Sequence, residues 1–80
     1  MKITIESTSK VVTLKLGAYS DGVPARIWEG ETESGIKVHC FITRIAIAKG
    51  ETRASEFKME LLEQKDPSVD IAAYPLRLIL

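Results

Sequence analysis

Ala25–Lys49 reads ARIWEGETESGIKVHCFITRIAIAK, two apolar, β-branched runs joined by a short polar turn that ends in glycine. Runs of this kind around such a turn mark a β-hairpin. With Glu33-Ser34-Gly35 as a three-residue loop and Gly35 left-handed, Thr32 faces Ile36 and paired residue numbers sum to 68. Trp28 then falls opposite Cys40, Arg26 opposite Ile42 and Gly30 opposite Val38, while Ile27 meets Phe41 and Glu29 meets His39. Directly opposed residues share a face. One face carries Arg26, Trp28, Ile36, Val38, Cys40 and Ile42; the other carries Ala25, Ile27, Phe41 and Thr43, continued by Ile45 and Ile47. A sheet apolar on both sides needs two covers, and the sequence offers one good helix. A second copy of the chain is the expected second cover.

Outward from this hairpin, Lys2–Glu6 alternates with Ile3 and Ile5 on one side. Lys10–Leu16 alternates again with Val12, Leu14 and Leu16 on one side, after the polar break Ser7-Thr8-Ser9. Strict period two predicts two half-buried strands, expected to pair as an antiparallel hairpin. Asp21-Gly22 marks a turn before Pro24. Beyond Lys49-Gly50, Ala54, Phe57, Leu61 and Leu62 recur at helical spacing, which predicts a helix capped by Thr52 or Ser55 and running to about Lys65. Asp66-Pro67-Ser68 ends it. Leu76-Arg77-Leu78-Ile79-Leu80 predicts a last strand, or an arm for a partner subunit. The expected fold is α+β over a single domain, residues 1–80: a mainly antiparallel sheet of four to five strands with one helix packed on one face, in the order ββββαβ. The predicted oligomer interface draws on Ile36, Val38, Ile42, Leu76, Leu78 and Leu80.

Composition narrows the function classes. Eighty residues make a thin core, so self-association is an expected source of extra stability. Eleven basic residues balance eleven acidic ones, against the basic excess of a duplex-DNA-binding protein. The single cysteine, Cys40, excludes an intrachain disulfide and fits a reducing cytoplasm. The N-terminus lacks a signal-type apolar core, and no run is long enough to span a membrane.

His39 and Cys40 are adjacent on a strand and therefore point to opposite faces. With no second histidine or cysteine, neither metal binding nor thiol catalysis is expected. There is no glycine-rich phosphate loop, no Ser/His/Asp set and no paired-histidine helix, so no enzyme and no cofactor are expected. What remains is recognition. Trp28 and Arg26 lie on one sheet face, and Arg44 follows on the next strand. A tryptophan can be core or a stacking surface, and strand arginines can be edge guards or clamps for phosphate or carboxylate. The three are the candidate ligand-binding residues. Glu56, Glu60 and Glu63 on the outer side of the helix are the candidate contact for a basic host protein.

Val23-Pro24-Ala25-Arg26-Ile27-Trp28-Glu29-Gly30, Thr32–Ile36 and Val38–Arg44, with the opening Met1–Thr8 and the ending Pro75–Leu80, resemble small accessory proteins encoded by bacteriophages and prophages. The resemblance covers most of the chain, and no functional residue is carried over with it. It implies a small protein of the bacterial host cytoplasm that acts by stoichiometric binding. Some proteins of that sort block a host defence complex, and some sequester a nucleotide second messenger between subunits. The expected function is thus a non-enzymatic, anti-defence oligomer that holds an anionic nucleotide ligand. The alternatives are a protein–protein inhibitor working through its acidic helix, and a single-strand nucleic-acid-binding or regulatory module.

Overall fold

The computed structural model describes residues 1–14 and 22–72. They form an antiparallel sheet of three strands in the order β1-β2-β3, with β1 Ile3–Leu14, β2 Val23–Thr32 and β3 Lys37–Ile42. An eight-residue helix, α1 (Ala54–Leu61), and a single turn, α2 (Val69–Ala72), follow. The α+β class holds. Among the described residues the sheet has three strands where four to five were expected, and the predicted strand at 76–80 lies outside them.

The β2–β3 hairpin takes the predicted register. Arg26 opposes Ile42, Ile27 opposes Phe41, Trp28 opposes Cys40, Glu29 opposes His39 and Gly30 opposes Val38. Gly35 is left-handed at φ 89°. The loop closes on itself: Thr32 N–H donates to the Ile36 carbonyl at 3.0 Å, and Ile36 N–H donates to Thr32 Oγ1 at 3.2 Å. The loop's hydroxyls are thus spent on the turn.

The N-terminal hairpin is corrected. Lys2–Glu6 and Lys10–Leu14 are halves of one strand, both paired with β2: Ile5 opposes Gly30, Ser7 opposes Trp28, Val11 opposes Arg26 and Val12 opposes Ala25. Four steps on β1 span two on β2, so Ser7-Thr8-Ser9 opens a bulge instead of a turn. Two extra residues preserve the alternation: Ile3 and Ile5 lie on the Trp28 face, and Val12 and Leu14 on the Ile27 face. The apolar side changes from odd to even positions within one strand, which imitates a strand break.

Thr8 fills the bulge and is fully buried. Its hydroxyl donates to the Ile27 carbonyl at 2.6 Å and accepts from Lys10 N–H at 3.3 Å. Thr8→Val keeps the shape and removes the hydroxyl. It is expected to cost about 1–3 kcal/mol, read as a lowered urea midpoint, because a buried carbonyl loses its donor.

The Ile27 face holds the core: Val12, Ala25, Ile27 and Ile71 are buried, with Leu14 and Phe41 packed against them. Its cover is also a correction. The helix predicted behind a Thr52 or Ser55 cap and running to about Lys65 stops at Leu61 and contributes no buried residue. Residues 63–65 are claimed by the bulge: Ser7 Oγ donates to the Glu63 carbonyl at 2.7 Å, Lys65 N–H to the Ser7 carbonyl at 3.1 Å and Ser9 N–H to the Lys65 carbonyl at 3.1 Å. These bonds draw the chain out of the helix and across β1 as a strap that delivers Ile71 to the core. Neither Thr52 nor Ser55 caps α1; Arg53 holds the cap position, and the Glu51 carboxylate takes the backbone N–H groups of Thr52 and Arg53.

Candidate functional site

Even-numbered residues of β2 and β3 meet the odd-numbered residues of β1 on the Trp28 face, away from the core. Three elements converge there. β2 contributes Arg26 and Trp28, the irregular segment after β3 contributes Arg44 and Ile45, and α1 contributes Leu61. With Ser7 and Val11 of β1 they bound a cleft of about 290 Å³. All three predicted ligand-binding residues, Arg26, Trp28 and Arg44, line it, and among the described residues no carboxylate does. Trp28 is half-buried, so part of its ring is presented to the cleft.

The two arginines are not equivalent. Arg26 is anchored, its Nη1 donating to the Thr8 carbonyl of the bulge at 2.9 Å. A guanidinium has five donors, so this bond orients the group and leaves others for a ligand. Arg44 is exposed and makes no hydrogen bond or ion pair among the described residues. A fixed and a free guanidinium beside an indole suit a planar anion: the ring stacks, the anchored group sets the register and the free one closes on the charge.

Trp28 and Ser7 also border a second cleft of about 450 Å³, where among the described residues Glu6, Glu60 and Glu63 stand against one ammonium, Lys65. Glu60 and Glu63 thus flank the tryptophan, whereas Glu56 points to a separate hollow with Ile47, Glu51, Arg53 and Phe57. The acidic trio does not form one surface; Glu60 borders both hollows.

Of the predicted interface residues, Ile36 is 63% exposed at the hairpin end, while Val38 and Ile42 are half-buried on the Trp28 face. Leu76, Leu78 and Leu80 lie outside the described residues. Cys40 is half-buried on the same face. No cluster of three or more potential metal ligands occurs among the described residues, and no described helix is long and apolar enough to cross a membrane.

Sequence reasoning missed Ser7, Val11 and Leu61 as walls of the cleft, and Lys65 altogether. The Ser7-Thr8-Ser9 triplet was the available signal, since an interruption of β-branched alternation marks a bulge as well as a turn.

Lys65 matters on the opposite side. Its Nζ pairs with Glu29 Oε1 at 2.6 Å, and the Glu29 side chain is only 13% exposed. The hydrogen bond from Lys65 holds the Glu29 carboxyl below its ordinary value, helped by Ser68 against the opposing effect of burial. The same bond raises Lys65. A depressed carboxyl stabilises the fold above its unfolded value, and that contribution disappears as the pH falls through the folded value. Glu29→Gln should therefore be less stable than the parent at neutral pH, and the gap should narrow in acid. Urea midpoints at neutral and acidic pH check this; parallel pH profiles would exclude the pair as a clasp. The remaining pairs, Lys37–Glu31 at 2.9 Å, Arg53–Glu51 at 2.9 Å and Lys2–Glu33 at 3.9 Å, are exposed and contribute little.

Comparison with family models, curated proteins and solved structures finds no match to this chain.

Proposed function

We propose that this chain is a non-enzymatic binding protein of the phage-accessory kind, and that it captures an anionic, nucleotide-type ligand on its Trp28 face. The observation that carries the reading is the convergence of Arg26, Trp28 and Arg44 on one cleft that, among the described residues, has no carboxylate. An indole supplies stacking and two guanidiniums supply charge, the pairing a phosphorylated base requires. Among the described residues the cleft sets no histidine or carboxylate beside its hydroxyls, and Ser7 Oγ donates to the Glu63 carbonyl, so the reading is capture without turnover. Stoichiometric capture in the bacterial cytoplasm is how such a protein would counter a host defence that signals by nucleotide.

Calorimetric titration with cyclic and linear nucleotides tests it. The expected result is saturable heat with at least one of them, and affinity about tenfold weaker in Arg44→Ala. No heat with any nucleotide would overturn the ligand reading.

A second reading rests on α1, which buries no residue and exposes Glu56 and Glu60, with Glu63 exposed just past its end. A helix so placed is available to a basic host protein. It predicts that charge reversal at these glutamates abolishes inhibition of the host complex while nucleotides give no heat. A single-strand nucleic-acid module would use the same Trp28 cleft, but with steep salt dependence.

A further inference from the structure

The two clefts that meet at Trp28 carry opposite charge. Among the described residues, one side presents Arg26 and Arg44 with no carboxylate; the other presents Glu60 and Glu63 beside Trp28, while Glu6 and the Lys65–Glu29 pair border it from the opposite face of the sheet. Trp28 and Ser7 belong to both, so the boundary between the halves runs through the tryptophan. Apolar groups stand beside it in water: Val11 is 48% exposed, Ile45 40% and Leu61 39%.

We infer that this face docks a second copy of the chain across a two-fold axis lying along that boundary. In a two-fold contact the same patch meets itself, so residue i touches j and j touches i. A patch of one sign would repel its copy. A patch divided into a basic and an acidic half is self-complementary for one axis direction, the one that sets each basic half on the partner's acidic half. Arg44 then faces Glu60 and Glu63 of the other copy twice over, the two Trp28 side chains meet near the axis, and Val11, Ile45 and Leu61 leave water between them. An extended polyanion or polycation matches only half of the patch, and the chain's net charge of zero removes long-range repulsion between copies. A docked copy covers the Arg26–Trp28–Arg44 cleft, so dimer and ligand compete for it; the inference does not depend on the ligand reading and is tested without ligand.

The test is sedimentation velocity on the parent, on Arg44→Glu, on the double variant Glu60→Lys/Glu63→Lys, and on an equimolar mixture of the two variants. The altered side chains are exposed, and circular dichroism checks that each variant keeps its fold. The parent is expected to dimerise with a constant that weakens as salt is raised. Each variant alone is expected to dimerise about tenfold or more weakly, because like charges then face each other in both halves. The mixture is expected to restore dimers: one half of the heterodimer keeps the native pairing and the other carries it reversed. A parent that stays monomeric at the highest attainable concentration would overturn the inference. So would variants that dimerise as the parent does, or a mixture no more associated than its components.

Discussion

Gly30→Ala is expected to lower stability by about 3 kcal/mol or more. Gly30 pairs with Ile5 where β1 crosses close to β2. A Cβ there would fall onto the Thr4 carbonyl oxygen and within 2.7 Å of the Ile5 Cα. Those atoms are backbone, so no side-chain rotation relieves the clash and the two strands must part. Removing a glycine also restricts the unfolded chain, which by itself stabilises by roughly 0.4–1 kcal/mol. The steric term wins because it opposes the main pairing of the sheet. Gly35→Ala is the useful contrast. Nothing stands near its Cβ, but φ is 89°, so its cost should be the left-handed penalty of about 1–2 kcal/mol. Urea unfolding of both variants checks the order; a Gly30 variant as stable as the parent would mean that β1 does not approach β2 so closely.

Ile71→Ala should cost about 2–5 kcal/mol. Ile71 is fully buried between Val12 and Ile27, although α2 is only four residues long and could not hold itself together alone. Its side chain is the anchor of the strap that leaves α1, pairs with the bulge at Lys65 and closes the Ile27 face. Eighty residues correspond to about 4–12 kcal/mol in total, so this one truncation removes a large share. Val69→Ala, two residues earlier and 85% exposed, should stay within about 0.5 kcal/mol. Equal midpoints for the two variants would contradict the strap as cover.

The two predictions mark where the sequence is legible and where it is not. The β2–β3 register can be read because it is local: Gly35 fixes the turn, and every pair follows by counting. Arg26 and Trp28 share a face for the same reason, and Arg44 joins them although β3 ends at Ile42. The β1 bulge cannot be read, because Ile3 and Ile5 are apolar toward one face and Val12 and Leu14 toward the other; alternation alone cannot tell a strand that changes its apolar side from two strands. The cover of the core is equally hidden. Helical spacing runs through Leu61 and Leu62, but the hydrogen bonds that end α1 come from Ser7 and Ser9, more than fifty residues away. Local propensity yields to such tertiary bonds. The acidic cleft depends on the same strap, since Lys65 reaches the sheet only after the helix has stopped.

Trp28 is the chain's only tryptophan, so its emission reports on the face where recognition is placed. The most direct measurement is that emission, excited at the red edge where nucleotides do not absorb, during titration with cyclic and linear nucleotides. A saturable change that Arg44→Ala weakens is the predicted result. Emission that stays unchanged across every nucleotide at saturating concentration would contradict capture at the Arg26–Trp28–Arg44 cleft.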